Sequence, residues 1–147
     1  MTETAAGSLS IRACRLEDIQ SVLELWRQAD ATPGVTDTDD DLRRAIADSP
    51  AHVLGAEVGG RVVGSIIGTF DGWRGNIYRL AVRPDHRRRG IARALVAAVE
   101  EAFAEWGVRR VTVLVERDHP WAVGFWNAVG YGLDVRIARF VRNLPRA

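Results

Sequence analysis

The stretch NIYRLAVRPDHRRRGIARAL, Asn76 to Leu95, decides the fold. It reads as a strand from Asn76 to Val82, a basic loop broken by Pro84, and a helix starting near Gly90. The start of a helix leaves several backbone N–H groups without intrahelical partners, and its dipole end is positive. Gly90 and Ala92 are small where an anion must approach the main chain, while Arg87, Arg88, Arg89 and Arg93 surround it with charge. Such a junction suits a pyrophosphate better than a carboxylate. It is not the GxGxxG of a dinucleotide fold, because it holds one glycine and its flanking strands are not parallel βαβ units. Nor is it a P-loop, which needs a lysine.

Outward from this junction the periodicity is clear. Leu9 to Ala13 alternates like a short strand, and Leu16 to Gln28 carries Ile19, Val22, Leu23 and Trp26 at helical spacing. Pro33 and Gly34 break the chain, and Thr36 or Asp37 is placed to cap a second helix ending near Ser49. Asp39, Asp40 and Asp41 fall in its first turn, where carboxylates favour the dipole; a loop for a cationic substrate is the competing reading. HVLGAEV and RVVGSIIGTF, separated by Gly59 and Gly60, form a hairpin, and DGWRG leads to the strand at Asn76. Three strands without an intervening helix imply antiparallel pairing. Ile91 to Trp106 is the longest helix, with Ile91, Leu95, Ala98, Val99, Ala102 and Phe103 on one face. RRVTVLV reads as a buried strand, HPWAVGFWNAVG as a short helix with Pro120 in its first turn, and YGLDVRIARFVRN as one or two closing strands.

Composition removes several function classes. A chain of 147 residues, 47% hydrophobic, supports one core. The lone Cys14 cannot close an internal disulfide and reads as a small core residue, and no cysteine or histidine spacing suits a metal site. The polar start MTETAAGS lacks the regions of a secretory signal, and no apolar run is long enough for a membrane span, so a cytoplasmic protein is expected. A net charge of +1 argues against nucleic acid, as does the lack of aromatics among Arg87 to Arg89. All 20 basic residues are arginine, which excludes lysine Schiff-base chemistry.

The triplet Arg87, Gly90 and Ala92, following the strand end Leu80, Ala81, Val82, matches Q/R-x-x-G-x-G/A. On this motif the chain resembles the GNAT superfamily of N-acetyltransferases, and its order of elements is similar from about Leu9 to Arg142. LWRQAD, FDGWRG and GFWNAVGY are most similar to the small bacterial YpeA-type subgroup. The resemblance implies an α/β (α+β) fold: a mixed, largely antiparallel sheet of six to seven strands, flanked by helices and splayed at the signature strand. Length and patterning lead to the expectation of a flexible tail at 1–8 and a single domain at 9–147.

Acetyl-CoA is the co-substrate so implied, with no metal. Leu80, Ala81 and Val82 would offer main-chain groups to the pantetheine and acetyl carbonyl; Arg87, Arg88, Arg89, Gly90, Ile91, Ala92 and Arg93 would hold the pyrophosphate. The acceptor would be the amine of a small molecule or peptide, and a homodimer is allowed. Where many members carry an acidic tyrosine, four residues before the glycine of a G-F or G-Y pair, this chain has Trp126, which fits a cofactor wall and not an acid. The family's base positions fall at Asn76 and Leu114. His119 and Tyr131 are therefore the candidates for proton handling, beside solvent. The alternative function is an acyl-CoA sensor that does not turn its ligand over. Trp26, Trp73 and Trp121 are candidates for lining the acceptor end, equally readable as core or contact residues.

Overall fold

The computed structural model describes residues 8–29, 31–47 and 51–145. Most of the expected tail, and the expected helix end at Ser49, lie outside these residues. The chain divides into two compact units, Met1–Val113 and Leu114–Ala147.

The first unit is a five-stranded sheet with helices on both faces. β1 (Leu9–Ala13), β2 (His52–Val58), β3 (Arg61–Phe70) and β4 (Gly75–Val82) run antiparallel in chain order, and β5 (Val111–Val113) joins β4 in parallel. A turn of 3-10 helix at Leu16–Asp18 precedes α1 (Ile19–Gln28), and α2 (Asp39–Ala47) follows. On this side Val22, Leu25, Trp26 and Leu42 pack with Cys14, Val53 and Val62. The buried carboxylate of Asp18 is tied to Arg12 at 2.7 and 3.0 Å and to the Arg15 N–H at 2.7 Å. Its pKa is lowered chiefly by the Arg12 hydrogen bonds.

α3 (Ile91–Glu105) covers the other face, burying Ile91, Leu95, Val96, Val99 and Phe103. Two glycines of β3 let it lie close. A Cβ at Gly64 would stand 3.1 Å from both Ile91 Cγ2 and Leu95 Cδ1, and one at Gly68 would stand 2.8 Å from Val99 Cγ1. Because side chains alternate across a strand, residues 64 and 68 share the α3 face while Ser65 turns towards α1. The helix is thereby seated on the sheet with its N-terminus at the end of β4.

The structure corrects three readings of the sequence. The sheet has five strands, not six or seven, because residues 131–145 contain none. Leu133, Val135, Ile137 and Phe140 alternate or nearly so, yet all are exposed, Phe140 at 95%. Alternation supplies a face, but a strand also needs a hydrogen-bonded neighbour. β5 is three residues long rather than a seven-residue buried strand, and Leu114 beyond it is exposed. The cap of α2 is neither Thr36 nor Asp37: the Thr38 hydroxyl accepts from the Asp41 N–H at 3.1 Å and donates to the Asp41 carboxylate at 2.7 Å. Asp37 is engaged elsewhere.

The second unit holds α4 (Pro120–Ala128), with His119 at its N-cap and Gly130, φ 99°, beyond its end. Its rings stack edge to face: Trp126 on Phe125 at 5.2 Å and on Tyr131 at 5.0 Å.

Candidate functional site

Two irregularities in the first unit meet the requirements of a ligand site. The first is the junction between β4 and α3. Gly90 is the N-cap of α3 at φ 79°, ψ 9°, a left-handed conformation followed by right-handed helix. That succession turns consecutive N–H groups towards one point and forms an anion-binding concavity. A Cβ added at Gly90 would meet nothing within 4 Å, so the space above this backbone is open. Arg88 is also left-handed, at φ 65°.

The arginines around the junction divide by role. Arg87 sends Nη2 to the Ala29 carbonyl at 3.4 Å, and Arg83 bonds Gln28 Oε1 at 3.0 Å, so both tie the loop to the end of α1. Arg83 also meets Asp85 at 3.1 Å, and His86 Nδ1 lies 2.9 Å from the same carboxylate. Arg83 and then His86 hold the Asp85 pKa far below the usual carboxylate range. Arg88, Arg89 and Arg93 are exposed and have no ion-pair partner among the described residues. They leave three guanidinium groups available to an incoming anion. At the start of α3, Ile91 is buried beneath Gly64 and serves as the foot of the helix, while Ala92 is half-buried.

The second irregularity is a bulge in β4. Ser65 pairs with Ala81 and Ile67 with Tyr78, so the single residue Ile66 faces both Arg79 and Leu80. Arg79 takes φ 55°, which is rare for a side chain of this size. Meanwhile the β4–β5 pairing covers only Gly75, Asn76 and Ile77. From Tyr78 onward, β4 faces no β5 residue, as expected of a sheet opened at the signature strand. Leu80 is half-buried there, and Ala81 and Val82 are buried and paired with β3.

Asp37, Arg79, Trp26 and Ser65 converge on this bulge, and the sequence reading missed their association. Their contacts span up to 42 residues of chain. A serine in the apolar run VVGSIIG is the one local signal. Trp26, a candidate for the acceptor end, is instead core. Trp73 is 74% exposed beneath Arg74, whose Cζ lies 4.2 Å from the ring centroid.

In the second unit, Trp126 is buried between its two ring neighbours, and Tyr131 is half-exposed. The His119 side chain does not cap α4; its ring lies edge-on to Trp121 at 4.7 Å, and its buried Nδ1 has no hydrogen-bond partner among the described residues. Among the described residues no group of three or more His, Cys, Asp or Glu could hold a metal ion. No helix among them is long and apolar enough to cross a membrane.

A family model described as the acetyltransferase (GNAT) family matches residues 19–131. An acetyltransferase of Pectobacterium atrosepticum is 35% identical over 123 residues, covering 84% of this chain and 87% of that protein. Among solved structures, the PaiA N-acetyltransferase of Thermoplasma acidophilum in complex with coenzyme A is similar at a TM-score of 0.80 and 18% identity, covering 86% of this chain and 91% of the other. An aminoglycoside acetyltransferase from an uncultured soil metagenomic sample, in complex with sisomicin, is similar at a TM-score of 0.72 and 19% identity, covering 93% and 97%.

Proposed function

Because this chain belongs to the GNAT family of acetyltransferases, with acetyl-CoA as its co-substrate, we propose that it transfers the acetyl group directly to the primary amine of a small molecule or peptide. The observation that carries this reading is the pairing of an open, left-handed helix N-cap at Gly90 with a β4 bulge at Arg79 and Leu80.

The two features divide the work. The N–H groups at Gly90, Ile91 and Ala92 take the pyrophosphate, with Arg88, Arg89 and Arg93 supplying charge and Arg87 holding the loop to α1. Main-chain groups of Leu80 and Val82 take the extended pantetheine and the acetyl carbonyl, as an unpaired strand edge takes an added strand. The thioester, once bound, supplies an electrophilic carbonyl carbon and a thiolate leaving group.

A neutral amine attacks that carbon and forms the C–N bond, and the carbonyl electron pair moves onto oxygen, where the Leu80 N–H stabilises it. Collapse breaks the C–S bond. The amine loses a proton and the thiolate gains one. Trp126 cannot deliver it, since an indole N–H is a donor without a suitable pKa. The proton comes from solvent or from His119 or Tyr131.

The test is thiol release from acetyl-CoA with a panel of amines, spanning a polyamine, an aminoglycoside, an amino acid and a peptide N-terminus, beside a calorimetric CoA titration. Binding of CoA with amine-dependent thiol release supports the proposal. Tight binding with no release above hydrolysis for any amine refutes transfer to this acceptor class.

A further inference from the structure

We propose that Asp37, Arg79, Trp26 and Ser65 form a positioning network that locks the peptide between Arg79 and Leu80 with the Leu80 N–H aimed at the thioester carbonyl; this rests on the acetyl-transfer reading above.

A bulge leaves a backbone carbonyl without its ladder partner, and a buried carbonyl must be satisfied by something. Here Ser65, fully buried, donates its hydroxyl to the Arg79 carbonyl at 3.2 Å. The same oxygen accepts from the indole N–H of Trp26 at 2.9 Å, which leaves the hydroxyl hydrogen free for that carbonyl. The peptide bond is planar and trans, so its C=O and N–H point in opposite directions. Holding the Arg79 carbonyl on Ser65 therefore turns the Leu80 N–H away from β3, towards the side where β4 has lost its β5 partner.

The side chain of Arg79 closes the circuit. Its Cζ lies 5.2 Å from the Trp26 ring centroid, and its Nη2 reaches both Asp37 oxygens, at 2.7 and 2.8 Å. Asp37 also accepts from the Gly34 N–H at 3.0 Å, so the connection between α1 and α2 is fastened to the bulge. A Cβ at Gly34 would lie 2.9 Å from Arg79 Nη2, which shows how closely that connection rests on the guanidinium. One residue thus takes an unfavourable φ, and both its carbonyl and its side chain are held by groups from α1, the α1–α2 connection and β3. That over-determination is what a strained conformation requires in order to persist.

The experiment compares Ser65→Ala, Trp26→Phe, Arg79→Gly and Arg79→Ala with the wild type. It measures kcat for thiol release from acetyl-CoA with the best amine of the panel, the CoA Kd by calorimetry, and melting temperature. Removing an oxyanion donor outright costs on the order of a hundred- to a thousandfold in kcat, so loosening it should cost about tenfold or more. Ser65→Ala and Trp26→Phe are expected to show that loss with CoA Kd within about threefold of wild type, because the pyrophosphate end is untouched. Arg79→Gly should retain more kcat than Arg79→Ala, since glycine adopts φ 55° freely. Trp26→Phe keeps an aromatic six-membered ring while losing the pyrrole ring with its N–H, so it carries the test if Ser65→Ala does not fold. Unchanged kcat in both variants, with only a lower melting temperature, would reduce the network to core packing and overturn the inference alone. A wild type that fails to bind CoA would overturn the acetyl-transfer reading and this inference with it.

Discussion

Replacing Gly90 by alanine separates the conformational use of that glycine from its steric use. At φ 79° an L-residue pays a backbone penalty of about 1 kcal/mol, which in a chain of this size lowers the melting temperature by roughly 2–4 °C. No further cost is expected in the free protein, because the added Cβ meets no atom within 4 Å. With CoA present the balance changes. The methyl group would stand where a phosphate oxygen meets the backbone, and losing one charge-assisted hydrogen bond of about 1.5–3 kcal/mol weakens binding roughly ten- to a hundredfold. Gly60, in the hairpin turn between β2 and β3, is the control: its φ is 76° and a Cβ there also meets nothing within 4 Å. Gly60→Ala should lose the same stability and bind CoA like the wild type. The assay is a calorimetric CoA titration of all three proteins beside their thermal melts. Equal CoA Kd for the two alanine variants, at equal loss of stability, would refute a phosphate seat at Gly90.

Three other perturbations have defined outcomes. Gly68→Ala gains strand propensity but puts a Cβ 2.8 Å from Val99 Cγ1, and overpacking of about 1–3 kcal/mol should win, seen as a lower denaturant midpoint at unchanged m-value; an unchanged midpoint would mean that α3 yields freely. Burial raises the Cys14 pKa from 9.0 to about 11, so the folded state holds its proton where the unfolded chain loses it. Stability from this residue is full below pH about 9 and lost as pH rises towards about 11, and a Cys14→Ala variant should lack that slope; identical alkaline profiles would contradict the shift. Trp126→Phe should keep kcat within about threefold, because phenylalanine retains an aromatic side chain and an indole N–H is no acid of suitable pKa, whereas a fall of two orders of magnitude or more with intact CoA affinity would require a specific role for the indole N–H.

The elements that a single residue period defines are legible in the sequence. The hairpin of β2 and β3 and the face of α3 are local patterns, and so is the helix start at Gly90. What was not legible depends on partners far along the chain. Residues 133–137 alternate as a strand would, but pairing with a neighbour is a property of the whole fold, and here it is absent. Asp37 is suited by type to cap α2, yet Arg79, 42 residues away, claims its carboxylate and leaves the cap to Thr38. The bulge at Arg79 has no sequence signature because an arginine at positive φ contradicts local preference. Only the surrounding contacts make it tolerable.

The arginine-only charge at the junction of β4 and α3 bears on the chemistry proposed next to it. Acetyl thioesters acylate exposed lysine amines, and acetylation removes the positive charge. Arg88, Arg89 and Arg93 are permanently protonated guanidinium groups with no lone pair to offer, and no lysine stands anywhere among the 147 residues. A protein that concentrates acetyl-CoA on its own surface would thus carry no side-chain amine to be modified by it. As the proposed anion seat, these guanidinium groups would keep full charge at any level of acetyl-CoA, where lysines in their place would lose it on acetylation.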